Sequence, residues 1–305
     1  LSPNRNGFNP VLSISYNSGA GNSVLGIGWG LDFPSIQRKT EKRLPRYHDF
    51  SVQPEEEDVF MFTGVEDLVP QLKKDGQGWI PVKIIQNNYQ IQEYRPRVEG
   101  TFSRIERIQC PDHGIFWRVT SRDNVTTIFG RSPECRIADP ADQSRIFQWL
   151  PEMSFDDKGS VVLFEYKPED LTGVSATLQE ENRVTGKALF SNRYLKRVRY
   201  GNLVPFYPYD QPDVSPYDPP LPGVYTDWHF EVVFDYGEHN LSAPEPDDKG
   251  VWPTRPDPYS TYRSGFEIRT YRLLKRVLMF HRFPELNNGT IRRKTLQKTR
   301  HYPAS

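Results

Sequence analysis

Apolar and polar residues alternate with a period of two through much of this chain, the pattern of strands with one face buried. In residues 9–29, NPVLSISYNSGAGNSVLGIGW, Leu12, Ile14 and Tyr16 fall on one side of a strand and Ser13 and Ser15 on the other. Gly19, Gly21, Gly26, Gly28 and Gly30 follow. Glycine accepts backbone angles with φ > 0 and lets other segments approach closely. The stretch predicts a half-buried strand, a glycine turn and a bend around a buried aromatic anchor, Trp29, with the rest of the chain organised around it.

Further strands follow in order. Residues 35–40 predict a short polar strand, residues 43–57 a charged loop, and Val59 to Thr63 an apolar strand closed by a turn at Gly64. Residues 72–78 predict a polar turn before Trp79 and Ile80, and residues 89–94 an alternating strand. Residues 115–120 and 126–129 flank Ser121-Arg122-Asp123-Asn124 and predict a hairpin, because these residue types favour turns. Residues 145–155 and 161–166, separated by Asp156-Asp157-Lys158-Gly159, predict a second. Residues 192–202 and 230–237 end in the same Tyr-Gly fashion, an imperfect internal similarity. Residues 265–283 predict a strand pair. Only residues 169–187 suggest a short helix, with Asp170 as its cap.

Two proline-rich stretches interrupt the pattern. Residues 205–222 interleave seven prolines with Tyr207, Tyr209 and Tyr217, and residues 243–258 repeat the theme. Proline has no N–H for a sheet ladder, so these predict extended surface connections with tyrosines packed on their own domain. A docking segment is the functional alternative.

Composition narrows the class. Aromatics make up 13% of the 305 residues, which favours strands, and 27 prolines disfavour long helices. Lysine plus arginine and aspartate plus glutamate are both 39, so no net charge points to nucleic acid or an anionic membrane. No apolar run is long enough to span a bilayer. Cys110 and Cys135, the two cysteines, are expected to be reduced, buried structural residues. No leader pattern or initiator Met is visible, and the chain reads as a single β domain over residues 1–305, a piece of a longer protein.

Five blocks carry a resemblance: residues 1–40 (LSPNRNGFNPVLSISYNSGAGNSVLGIGWGLDFPSIQRKT), 44–47 (LPRY), 57–70 (EDVFMFTGVEDLVP), 132–152 (SPECRIADPADQSRIFQWLPE) and 262–283 (YRSGFEIRTYRLLKRVLMFHRF). In that order they resemble the SpvB-type domain at the N-terminus of insecticidal toxin complex B components and of Salmonella virulence protein B. The DDKG hairpin also resembles a unit of RHS repeats. The resemblance implies an all-β fold of many antiparallel strands in a large curved sheet, part of an RHS-like cocoon. It implies a secreted shell, assembled in the cytoplasm, that closes with a C component around a toxic cargo and docks on a pore-forming A component. The alternative it implies is the non-catalytic N-terminal portion of an ADP-ribosyltransferase toxin. A free-standing adhesive or sugar-binding β domain is a third reading.

No catalytic, cofactor-binding or metal site is expected within the chain. Residues 19–24 read G-x-G-x-x-V and lack both the third glycine and the helix of a dinucleotide loop. His48, His113, His229, His239, His281 and His301 are scattered, without metal-ligand spacing. The resemblance directs attention to an E-x-E loop and an S-T-S strand. Glu55-Glu56-Glu57 supplies the first, read as a solvated acidic loop, and the second is missing. Asp139-Pro140, Asp218-Pro219 and Asp257-Pro258 lack the glycine of the aspartyl self-cleavage motif of RHS shells.

Overall fold

The computed structural model describes residues 1–4, 7–49, 57–63, 67–76, 78–210, 212–223, 227–283 and, as backbone, 291–297. Gly64, Glu55, Glu56 and residues 299–305, all of which figured in the sequence reading, lie outside the described residues. The strands in chain order are β1 (Ser13–Tyr16), β2 (Trp29–Asp32), β3 (Ile36–Arg38), β4 (Phe60–Phe62), β5 (Asp67–Pro70), β6 (Leu72–Asp75), β7 (Gly78–Pro81), β8 (Lys83–Gln86), β9 (Tyr89–Pro96), β10 (Arg104–Cys110) and β11 (Gly114–Thr120). They continue with β12 (Thr126–Phe129), β13 (Arg136–Asp139), β14 (Asp142–Trp149), β15 (Pro151–Phe155), β16 (Val161–Pro168), β17 (Arg193–Asn202), β18 (Trp228–Asp235), β19 (Tyr259–Thr261), β20 (Ile268–Thr270), β21 (Arg276–Arg282) and β22 (Ile291–Gln297). A single short α-helix, α1 (Glu181–Thr185), and a 3-10 turn, Pro133–Cys135, are found among the described residues.

Sixteen of these strands make one antiparallel sheet, in the order β13-β14-β3-β4-β5-β9-β10-β11-β12-β15-β16-β17-β18-β21-β22, with β8 beside β9. Its first part rolls up. Trp149 on β14 meets Trp117 on β11 with ring centroids 5.9 Å apart, and its indole N–H donates to the Ile115 carbonyl at 2.9 Å. β14 and β11 are six places apart in the sheet, so the contact closes a curl. Ile36, Phe60, Leu68, Tyr94, Ile105, Trp117, Phe129 and Trp149 fill the inside. The opposite face carries Ile91, Ile108, Phe116, Ile128 and Met153, and here the proline-rich strap brings Phe206 and Tyr217 down as cover. Arg118 holds the strap by lying 4.7 Å from the centre of the Tyr217 ring, and Arg131 by pairing with Asp218 at 2.9 Å. The strap is thus a connection packed on its own domain.

Strands β15 to β18 and β21 extend away from the roll. On one face Val162, Val198, Tyr200, Phe230, Val232 and Phe234 form a core, covered by Phe8, Leu12, Val24, Leu25, Trp29, Leu31 and Phe33 of the N-terminal segment. That segment is a cover, not the organising centre. β1 pairs with β2 in a separate two-stranded ribbon. All four β1 residues are exposed, Trp29 is half-buried, and Tyr16 packs on it at 5.1 Å. Period-two alternation does not say which sheet a strand joins, and β1 joins none that would bury its apolar side.

Several predicted elements change. Residues 35–40 do hold a strand, β3, but Ile36 and Arg38 are fully buried inside the roll. Residues 72–78 are not only a turn: β6 pairs with β7 as an arm that leaves the sheet between β5 and β8. The run 145–155 splits at Leu150 into β14, which pairs with β13 and β3, and β15, which pairs with β12 and β16. Proline at 151 supports the break, since it cannot donate to a ladder. Residues 265–283 form no pair with each other, because β20 pairs with β19 and β21 with β18 and β22. Helix α1 begins after Glu180, and Asp170 caps nothing helical; its carboxylate accepts from the Thr172 amide and from Arg272. β10, at the centre of the roll, and β13 were not foreseen.

Candidate assembly surface

The face of the extended strands opposite the N-terminal cover carries charge. Register places Glu165 across from Arg197, and Arg199 across from Glu231. Diagonal neighbours on one face of an antiparallel pair are within reach of long side chains. Arg199 accordingly pairs with Glu165 at 2.7 Å, Arg197 with Glu231 at 2.9 Å, and Arg282 with the other Glu231 oxygen at 2.7 Å. Glu231 is 2% exposed, so three arginines surround a buried carboxylate. Removing a single partner from such a group leaves an uncompensated charge, which is costly. The second proline-rich stretch anchors at the same place, through the Pro246 carbonyl at 2.8 Å and Asp247 at 2.9 Å from Arg197. The Arg197 hydrogen bond holds the Asp247 carboxyl below its ordinary range. Beside the charges, Val233, Leu278 and Phe280 form a small apolar group.

The sheet also has a free margin. β22 ends the strand order, and among the described residues it pairs only with β21. A margin of this kind offers main-chain N–H and C=O groups to another strand.

Carboxylates that drew attention in the sequence are held by cations. Asp139 pairs with Arg145 at 2.7 Å, Asp218 with Arg131 at 2.9 Å, and Asp257 with Arg255 at 3.0 Å. Glu57 is not part of a solvated loop: its side chain sits at the mouth of the roll, 3.9 Å from Arg107, and burial raises its pKa. Asp49 and Asp58 join the same cluster through Arg38, at 2.5 and 2.8 Å. Sequence reading missed these buried arginines: Arg38 falls in a stretch read as a polar strand and Arg107 in a strand the alternation does not reveal, so no local signal marks either as buried. Cys110 and Cys135 are free and buried, and burial raises both thiols, which suits packing and not nucleophilic chemistry.

The histidines stay apart. His113 lies 3.2 Å from Asp218, and His281 faces the Ser2 hydroxyl at 3.0 Å. His239 is buried between Lys196 at 2.7 Å and the Glu245 carbonyl at 2.8 Å. His301 lies outside the described residues. Among the described residues no three potential ligands converge as a metal site. The glycine loop after β1 leads into β2 and not a helix, and Asn22 within it binds Asp257 and Arg255.

A family described as Salmonella virulence plasmid 65kDa B protein matches residues 1–283. The chain belongs to this SpvB family. It is 33% identical over 290 residues to mono(ADP-ribosyl)transferase SpvB of Salmonella typhimurium, a match covering 92% of this chain and 46% of that protein. The chain thus spans about half the length of this curated relative. Its fold matches the N-terminal domain of effector protein SpvB from Salmonella typhimurium strain LT2 with a TM-score of 0.78 and 29% identity, over 97% of this chain and 96% of that one. It also matches part of the TcdB2-TccC3-Cdc42 crystal structure with a TM-score of 0.74 and 33% identity, over 93% of this chain and 13% of that one. A further match is to the Photorhabdus luminescens Tc holotoxin pore, at 32% identity and a TM-score of 0.72. The SpvB family, the all-β fold and the likeness to toxin shells thereby stand together. The relatives include transferases, yet this chain matches only a portion of them.

Proposed function

We propose that this segment is a non-catalytic β domain that forms part of the wall of a toxin shell, enclosing a cargo and helping to deliver it. The match to the TcdB2-TccC3 assembly over 93% of this chain carries the reading. Its partners are a C component that completes the shell and a pore-forming A component. The segment itself touches neither nucleic acid nor membrane, and the product is secreted after assembly in the cytoplasm. An unbroken sheet suits a wall, and so does a margin that can accept further strands. The arginine-held carboxylates suit it too, since none is poised as a base or nucleophile. We read residues 1–305 as one domain. Co-expression of the full polypeptide with a C component tests this: the two are expected to co-elute as a hollow particle by electron microscopy, and separate elution would sink the shell reading.

A second reading is favoured by the match to the SpvB N-terminal domain over 96% of its length. The segment would then be the non-catalytic leading part of an ADP-ribosyltransferase. In either case residues 1–305 are expected to transfer no labelled ADP-ribose from NAD to actin. Transfer that disappears in Glu57→Ala would overturn both.

A further inference from the structure

A pocket of about 470 Å3 opens beside the start of β17, a size ordinary for ligand sites. Three separate segments wall it: the β13–β14 turn, the chain just after β16, and residues 187–190. Its apolar side is made by Pro140, Pro168, Leu171 and Phe190, and the Phe190 ring is braced edge-on by Tyr271 at 5.7 Å.

The charges in the wall are unequal. Glu169 is committed to Arg272 at 3.0 Å, and Asp170 to Arg272 at 2.8 Å and to Lys167. Lys187 and Arg193, which also line the pocket, have no carboxylate partner among the described residues. Among the described residues the Arg193 guanidinium donates only to the carbonyls of Ser191 and Asn192, at 3.3 and 3.1 Å, and its buried Nε has no partner. Burial outweighs the attraction of Glu134 and pulls its guanidinium below its ordinary pKa. Lys187 is exposed and holds φ at 47°, a left-handed conformation uncommon for lysine. Finally, the main-chain groups of Leu189 and Phe190 pair with no other main chain among the described residues, and Leu189 is 74% exposed.

We propose that this pocket binds an extended acidic peptide, with an apolar side chain against Phe190 and an adjacent carboxylate between Lys187 and Arg193. A carboxylate here would give both cations the charge-assisted hydrogen bonds that no carboxylate among the described residues makes with them. A peptide, unlike a small carboxylate, also pairs with the open main chain of residues 189–190, the mode by which extended segments add to free backbone. The site is independent of the shell proposal, since it rests on the pocket alone.

The probe is rhodamine-labelled Ac-Leu-Asp-Phe-Asp-Leu-amide, with the Asn-for-Asp peptide as its neutral counterpart, titrated into the chain by fluorescence anisotropy. Saturable binding of the acidic peptide is expected, with shifts of the Leu189 and Phe190 amide resonances. The neutral peptide should bind about tenfold or more weakly, and so should the acidic one to Arg193→Gln and Lys187→Gln. Lys187 is exposed, so its variant keeps the fold and separates lost charge from lost folding. Absence of saturable binding, equal affinity for both peptides, or displacement by an equal concentration of sodium hexanoate would each overturn the proposal.

Discussion

Arg38, Arg107 and Arg272 are fully buried, each with carboxylates or carbonyls around its guanidinium. Arg272 alone binds Glu169, Asp170, the Thr172 carbonyl and the Trp252 carbonyl. Such groups bind several irregular segments to the sheet at once. Acid should loosen the interior they hold. Burial works to raise the Asp235 carboxyl, but the amides of Gly237 and His239 and its pair with Arg276 outweigh it and hold it below its ordinary range. A depressed carboxylate stabilises the fold above its unfolded pKa of about 3.9, and this contribution is lost as pH falls through the lower folded value. Stability of the wild type should therefore drop steeply below about pH 4, and less steeply in Asp235→Asn. Equal slopes in chemical denaturation across that range would count against this. Tryptophans give a second residue-scale test. Trp117 and Trp149 are fully buried, so either change to Ala should cost about 3–5 kcal/mol. Trp29 is half-buried on a peripheral ribbon, so Trp29→Ala should cost about 1–2 kcal/mol. Equal shifts of the denaturation midpoint would restore the ribbon to the centre of the fold.

At the scale of elements, the hairpin of β15 and β16 was readable because its turn chemistry is local. Asp156 accepts from the amides of Lys158 and Ser160, and Gly159 supplies φ of 83°. What lies over the turn is not local. A Cβ at Gly159 would come 2.9 Å from the Pro205 Cβ of the strap, whereas one at Gly76, in the β6–β7 arm, meets nothing within 4 Å. Both glycines are left-handed, so Ala costs about 1 kcal/mol of strain at each. Gly159→Ala should cost about 1–2 kcal/mol more by displacing the strap. Thermal melts showing equal losses would mean the strap does not press on the turn. β10 shows the opposite case. Its sequence, RIERIQC, places Glu106 and Arg107 inward on opposite faces, both buried and both ion-paired. Charged residues on both faces hide the alternation by which a strand is recognised.

For the whole molecule, the free side of β22 is the feature with the widest consequence. Three consecutive basic residues, Arg292, Arg293 and Lys294, fall within that strand, and charge on an edge restrains pairing. A continuous sheet whose end strand β22 has one side unpaired among the described residues should still self-associate at high concentration. Size-exclusion chromatography of residues 1–305 is expected to show association that grows with concentration and declines when a C component is co-expressed. A monomer at every concentration would mark the segment as self-sufficient.

The sequence by itself determined the all-β class, the two hairpins and the family, because turn chemistry, aromatic content and ordered blocks are properties of neighbouring residues. It also indicated that Cys110 and Cys135 are buried and that the tyrosine-bearing strap packs on its own domain. The tertiary structure alone decided that the N-terminal ribbon is a cover, that residues 145–155 serve two different pairings, and that the first strands roll until Trp149 reaches Trp117. Only there, too, do Glu57 and the buried arginines acquire partners. Each of these depends on which distant segment a face meets, and a period of two says that a strand has two faces without saying what covers either.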